Sequence, residues 1–329
     1  MRRLGPGLRF FTLLAALLAS GSSSAAQTLQ DVLSQHSIPA VSGTIQNLNE
    51  RITSFAVLDS ATHFVIAYYI DDGSGLLSPP LLVGRYNKKE QGWKTTALRN
   101  VGAPFLGTEV NCLGSVTAIR QMPGFIFIDT HLNPSAGCLV VFSDDLAVRK
   151  ALSGWYLAAF RSGLLVFHRS QIHFAPTHPM EIAVYNLQSD AQTQIYPPLQ
   201  DPIRAEYVER LRSLMPGEDW CREHNTSCDP RQFSNEIWGA VAVNEEAGAM
   251  AFVARFDPGG LVPKEVQERT PDLTQDVAYV FLFSPHAVRH RQFRFSEIRE
   301  RFGAAAQDDL VKPAVLDRLF AQTSPRPER

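Results

Sequence analysis

From Ser54 onward the chain is a succession of short runs rich in Val, Ile, Phe and Tyr, separated at short intervals by Gly, Pro, Asn and Asp. The runs have strand length and the punctuation is that of turns, so the pattern predicts an all-β body. The runs fall into four groups of four. The first comprises Ser54–Asp59, His63–Ile70, Pro80–Tyr86 and Trp93–Leu98, and the second Ser115–Arg120, Phe125–Ile128, Cys138–Phe142 and Ala147–Leu152. The third comprises Tyr156–Arg161, Leu164–His168, Glu181–Tyr185 and Gln192–Tyr196, and the fourth Gly239–Asn244, Met250–Ala254, Val277–Phe283 and His290–Phe295.

Aligning the groups places small residues, Val57, Ala118, Ala159 and Ala242, beside larger ones, Leu58, Ile119, Phe160 and Val243. Small residues let strands converge near an axis. Over residues 54–295 the chain resembles a β-propeller, whose four-stranded antiparallel blades repeat at about 40–50 residues. The resemblance is architectural and implies about four blades, with Ile38–Ile52 available to complete one. A β-sandwich is the alternative, because short strands in two packed layers also alternate small and large positions.

Two stretches leave the β pattern. Within an insertion, 199–236, Asp201 is placed as an N-cap and Pro202 at the first helical position. Ile203, Tyr207, Leu211, Leu214 and Met215 then share one face before Pro216 and Gly217 end the run. From Ser296 to Gln322 the spacing again turns helical, with Pro313 at a helix start and Leu316, Leu319 and Phe320 as its apolar stripe. Thr28 and Asp31 have the spacing of a capping box. The expected organisation is a signal peptide, 1–26, an N-terminal extension, 27–53, the β body, 54–295, a C-terminal helical segment, 296–322, and a disordered tail, 323–329.

The signal reading rests on Arg2, Arg3 and Arg9, a short apolar run from Phe10 to Ala19, and small residues ending at Ala26. That run is too short to span a bilayer, so a periplasmic or secreted product without an integral membrane segment is expected. With 45% hydrophobic and 19% charged residues among 329, the chain can bury a large core. Its net charge of −2 offers no basic excess for nucleic acid. Four cysteines in an exported chain point to two disulfides, and local pairing selects Cys112 with Cys138 and Cys221 with Cys228. Cys221, His224 and Cys228 are zinc-type ligands, but their spacing is not that of a zinc site, and no metal or other cofactor is expected.

Links between first and second strands are short, whereas Asp71–Pro79, Arg99–Gly114, Asp129–Gly137, Arg169–Met180, the insertion and Phe256–Asp276 are long and emerge at the opposite end. Long ordered connections build binding surfaces more often than tight turns do. The ligand-contact residues expected there are Asp71, Asp72, Asp129, His131, Trp155, His173, His178 and Trp238. Each also has a structural reading: Asp71 and Asp72 as a hairpin turn, the tryptophans as packing between blades. Asp59, Arg120, Arg161 and Asn244 align as a polar column, with Asp59 and Arg120 as an inter-blade pair. No G-x-S-x-G elbow or phosphate loop occurs. The leading expectation is an exported binding protein for a protein, peptide or glycan. The alternative is an extracellular polysaccharide hydrolase or lyase with loop-borne catalytic residues.

Overall fold

The computed structural model describes residues 27–39, 48–105, 108–133, 136–169, 181–303 and 307–321. The expected signal peptide, the expected tail after 322, His173 and His178 all lie outside the described residues, as does most of Ile38–Ile52. The chain is mostly β, with antiparallel sheets. Helix α1, Leu29–Gln35, precedes them and starts at a capping box made by Thr28 and Asp31. The first sheet is β1 Ile52–Asp59, β2 His63–Ile70, β3 Leu81–Asn87 and β4 Gly92–Leu98, in that order. A hairpin, β5 Gly102–Phe105 with β6 Thr108–Asn111, lies within the long connection expected over Arg99–Gly114.

The second and third groups merge into one seven-stranded sheet, β7 Ser115–Met122, β8 Phe125–Asn133, β9 Ala136–Ser143, β10 Val148–Phe160, β11 Leu164–Arg169, β12 Ile182–Asn186 and β13 Gln192–Tyr196. Two separate strands were expected over 147–161. Instead β10 is a single strand of 13 residues whose first half pairs with β9 and whose second half pairs with β11. It is at once the last strand of the second quartet and the first of the third. The expected long link after Asp129 is likewise corrected: β8 continues to Asn133 and β9 starts at Ala136.

The insertion folds as α2 Pro202–Leu214 and α3 Glu218–Glu223, with Asp201 capping α2 through a bond from the Arg204 amide. The last sheet is β14 Ser234–Asn244, β15 Ala249–Asp257, β16 Gln275–Ser284 and β17 Ala287–Arg294, with α4 Lys264–Arg269 between β15 and β16. Helices α5 Phe295–Phe302, α6 Gln307–Leu310 and α7 Pro313–Phe320 end the described chain. The disulfides Cys112–Cys138 and Cys221–Cys228 are both formed. In the chain-entropy picture, closing the 26-residue separation of the first contributes about 3–4 kcal/mol.

Second and third strands carry long apolar runs because both of their faces are buried. Along β2, Phe64, Ile66 and Tyr68 pack against Leu29, Val32 and Leu33 of the N-terminal segment, while Val65, Ala67 and Tyr69 join Ile126, Ile128 and Val140 of the second quartet. Phe127, Leu139 and Val141 then meet Leu165, Phe167 and Ala183 of the third. Val166 and Val184 meet Phe252, Tyr279 and Phe281 of the fourth. The far face of that last sheet, with Ala251, Val253 and Val280, is covered by Ile298, Leu310, Leu316 and Leu319. The quartets therefore stack in chain order, with helical segments on the first and last faces.

Each first strand carries an irregularity at the same place, between Thr53 and Ala56, Val116 and Ala118, Tyr156 and Ala158, and Trp238 and Ala242. β1, β7 and β10 each take in one extra residue there, which moves the side chains that follow to the other face, and β14 takes in two. The repeat column is consequently Ala56, Ala118, Ala158 and Ala242, which corrects the expected column at Val57 and Ala159. Ser54, at a positive φ of 43°, turns its hydroxyl to accept from the Val116 amide of the next first strand at 2.8 Å.

Candidate functional site

The residues directly across from the alanine column are Ala67, Asp129, Val166 and Ala251. Three are apolar and belong to the buried faces between layers. Asp129 breaks this rule. It is 4% exposed and faces the third quartet, where its Oδ1 accepts from the Tyr156 amide at 3.1 Å and its Oδ2 pairs with Arg120. An unpaired carboxylate here would be expelled by the cost of desolvation, so Arg120 and the amide are what retain it. Burial wins over both partners and raises the Asp129 carboxyl above its ordinary value.

Arg120 continues outward. Its guanidinium lies 4.5 Å from the centroid of the Tyr156 ring, and its side chain is 40% exposed. Tyr156 is half-buried, and burial followed by the charge of Glu245 raises its phenol. The result is a guanidinium held over an aromatic ring, with a buried carboxylate paired to it.

Trp155 stands beside this group. It pairs with His168 across β10 and β11, and their rings stack at 5.5 Å and 21°. Its indole lies over Gly137, where a Cβ would come within 2.2 Å of the indole nitrogen. Gly154 is just as constrained, since a Cβ would meet the His168 carbonyl at 2.1 Å. His168 Nε2 is buried without a hydrogen-bond partner among the described residues, and desolvation lowers its imidazole to about 4, so the ring is neutral at pH 7. His131 is two residues beyond Asp129 on β8 and pairs with Gly137, the residue the indole lies over.

The structure thus brings Asp129, His131 and Trp155 to one junction, where β10 passes from the second quartet to the third. Asp129 is buried there, not a contact side chain on the surface. Asp71 and Asp72 are apart from it: each accepts from a backbone amide two residues on, Gly73 and Ser74, in a self-contained turn after β2. The bonds from Ser74 lower the Asp72 carboxyl. Trp238 lies in β14, and its side chain is outside the described ones. The expected pair of Asp59 with Arg120 does not form. Asp59 is held by Lys88 and His36, and Asn244 donates to the Val311 carbonyl, so local partners dissolve the polar column.

Tyr156 and His168 were not among the expected contact residues. The available signal was Gly154, a glycine inside an apolar run that marks a close backbone approach. Among the described residues, no three His, Cys, Asp or Glu side chains group as metal ligands, and no helix is long and apolar enough to cross a membrane.

No family model and no curated protein matches this sequence. Among solved structures it is similar to an exo-β-1,3-galactanase from Phanerochaete chrysosporium, at 10% identity over 76% of this chain and 50% of that one, with a TM-score of 0.28. It is also similar to the GH93 α-L-arabinofuranosidase of Fusarium graminearum, at 10% identity over 74% and 68%, with a TM-score of 0.31. A GH43_1 enzyme from Xanthomonas citri is similar at 9% identity over 85% and 93%, with a TM-score of 0.28. This chain spans half the length of the galactanase. Overlap of this extent fixes neither substrate nor activity.

Proposed function

We propose that this is an exported, β-propeller-like binding protein whose four quartets fan about a shared centre, and that a ligand is held at the junction of the second and third quartets by Arg120 and Tyr156. The observation that carries the reading is Asp129, a buried carboxylate in a column that is otherwise Ala or Val. Its structural effect is to fix one half-exposed guanidinium on one half-exposed ring, which is how a recognition group is pre-organised. Two disulfides are in keeping with an oxidising compartment outside the cytoplasm.

A glycan is the ligand class favoured by this pairing, because a guanidinium donates to hydroxyls and carboxylates while a neighbouring ring offers an apolar face. The test is an array of neutral and uronate oligosaccharides probed with the wild type, Arg120→Gln and Tyr156→Ala, with circular dichroism melts as the folding control. Retention by the wild type and loss in both variants is expected. Binding that survives both substitutions moves the site elsewhere. Release of reducing ends from an arrayed oligosaccharide would replace this reading with the hydrolase alternative, in which Asp129 or a loop carboxylate acts as the acid.

A further inference from the structure

Among the described residues strand β17 pairs only with β16, so its outer edge presents backbone N–H and C=O groups that no described strand pairs with. Two cavities lie along that edge and share His290. One, of about 550 Å³, opens between β17 and the edge strand β13 and is lined by Val184, Phe281 and Val288. The other, of about 310 Å³, lies where Arg291 and Phe293 meet Ile203 of α2 and Phe302 of α5. Leu199, fully solvent-exposed, stands on the wall of the larger one.

This edge is also cationic. From His286 to Phe302 the sequence has five arginines and two glutamates, in a chain of net charge −2. Arg294 is held by Glu206 and Glu297. Arg289, Arg301 and Arg318 instead lie over the rings of Phe320 and Phe302, and no carboxylate pairs with them or with Arg291 among the described residues. Charged residues on an edge strand can simply discourage pairing with other chains. That role needs no cavity, whereas here two cavities lie beside the free edge, the larger one floored by apolar side chains with a leucine exposed on its wall.

We propose that the β17 edge is a docking site for an extended acidic peptide, which adds to the fourth sheet as a further strand. Its backbone bonds to the free edge, its carboxylates meet Arg289 and Arg291, which share one face of β17, and an apolar side chain packs on Leu199. An acidic glycan would satisfy the arginines but cannot use the strand ladder, which is why a peptide is the occupant. The site shares no residue with the Arg120 junction, so the two readings stand or fall separately.

The experiment uses the whole secreted chain and a fluorescein-labelled peptide of alternating Glu and Val, matched to the eight residues of β17. The controls are the Lys-Val counterpart, the same acidic peptide with alternate amides N-methylated, and a galacturonate oligomer. Fluorescence anisotropy should show binding of the acidic peptide alone. The double variant R289A/R291A should weaken it by roughly tenfold or more without changing the melting midpoint, and hydrogen exchange should slow at the amides of Arg289–Gln292 on binding. Equal binding of the N-methylated peptide or of the galacturonate would overturn strand addition. No binding of the acidic peptide, or binding unaffected by R289A/R291A, would overturn the site.

Discussion

Between the second and third quartets the layers are joined by one continuous strand and enclose a carboxylate, whereas between the third and fourth they are joined by the helical insertion and enclose rings. At the latter interface Phe252 stacks on Tyr279 at 5.4 Å and on Phe281 at 5.8 Å, Tyr196 meets Tyr279 edge-on at 4.9 Å, and Phe160 stacks on Phe283 at 4.6 Å. Its polar groups are drawn inward and bonded to one another: Tyr279 donates to Asp201 at 2.6 Å, and Asn235 donates to the Tyr196 hydroxyl at 3.3 Å. At the former, the polar groups lead outward, from buried Asp129 to half-exposed Arg120. The same repeat therefore serves two ends. Aromatic filling locks a layer pair, while a charge in the equivalent place orients a side chain toward solvent at some cost in stability.

The largest test of that contrast is Phe252→Ala. It removes a fully buried ring from the third interface and should cost about 3–5 kcal/mol in a urea unfolding experiment. A loss no larger than that of Asp129→Asn would show that the aromatic interface is not the stronger of the two. Gly137→Ala comes next, because the added methyl overlaps the Trp155 indole and must displace it. A cost of about 1–3 kcal/mol is expected, with a shifted tryptophan emission. Unchanged emission would mean that Trp155 does not pack there.

The smallest expected effect sharpens the comparison through pH. The raised Asp129 carboxyl keeps a proton that the unfolded chain has released, so its contribution to stability falls as pH rises from 3.8 through the raised value. His168 acts in the opposite sense. With its imidazole lowered from 6.5 to about 4, the unfolded chain binds the proton first, and stability falls as pH drops through that window. Asp129→Asn should remove the first slope and His168→Gln the second, each by no more than about 3 °C in midpoint per pH unit. Identical pH profiles for both variants and the wild type would mean that neither group is buried as described.

Much of this arrangement was legible in the chain. The runs at His63–Ile70, Phe125–Ile128 and Val277–Phe283 announce strands, and Asp201 followed by Pro202 announces a capped helix. Asp129 was read as the first residue of a long link after Ile128, not as a charge buried inside a strand, and its partners were not visible at all. Arg120 is nine positions away and Tyr156 is 27, and only the pairing of β7 with β8 and the passage of β10 between quartets bring them together. The bulges were hidden for a related reason. One extra residue leaves the composition of a strand unchanged yet moves every later side chain to the other face, so the column was read at Val57 and Ala159 in place of Ala56 and Ala158.

What the sequence determined by itself is local: strand and helix positions, caps, turns and both cysteine pairings, because each depends on residues a few to a few tens of positions apart. Only the tertiary structure decided which faces meet, that β10 serves two quartets, and that Arg120 turns to Asp129 while Asp59 turns to Lys88 and His36. The reason is energetic. A buried charge must find a partner wherever packing supplies one, and several partners of equal chemistry are available along the chain until the layers close around a particular pair.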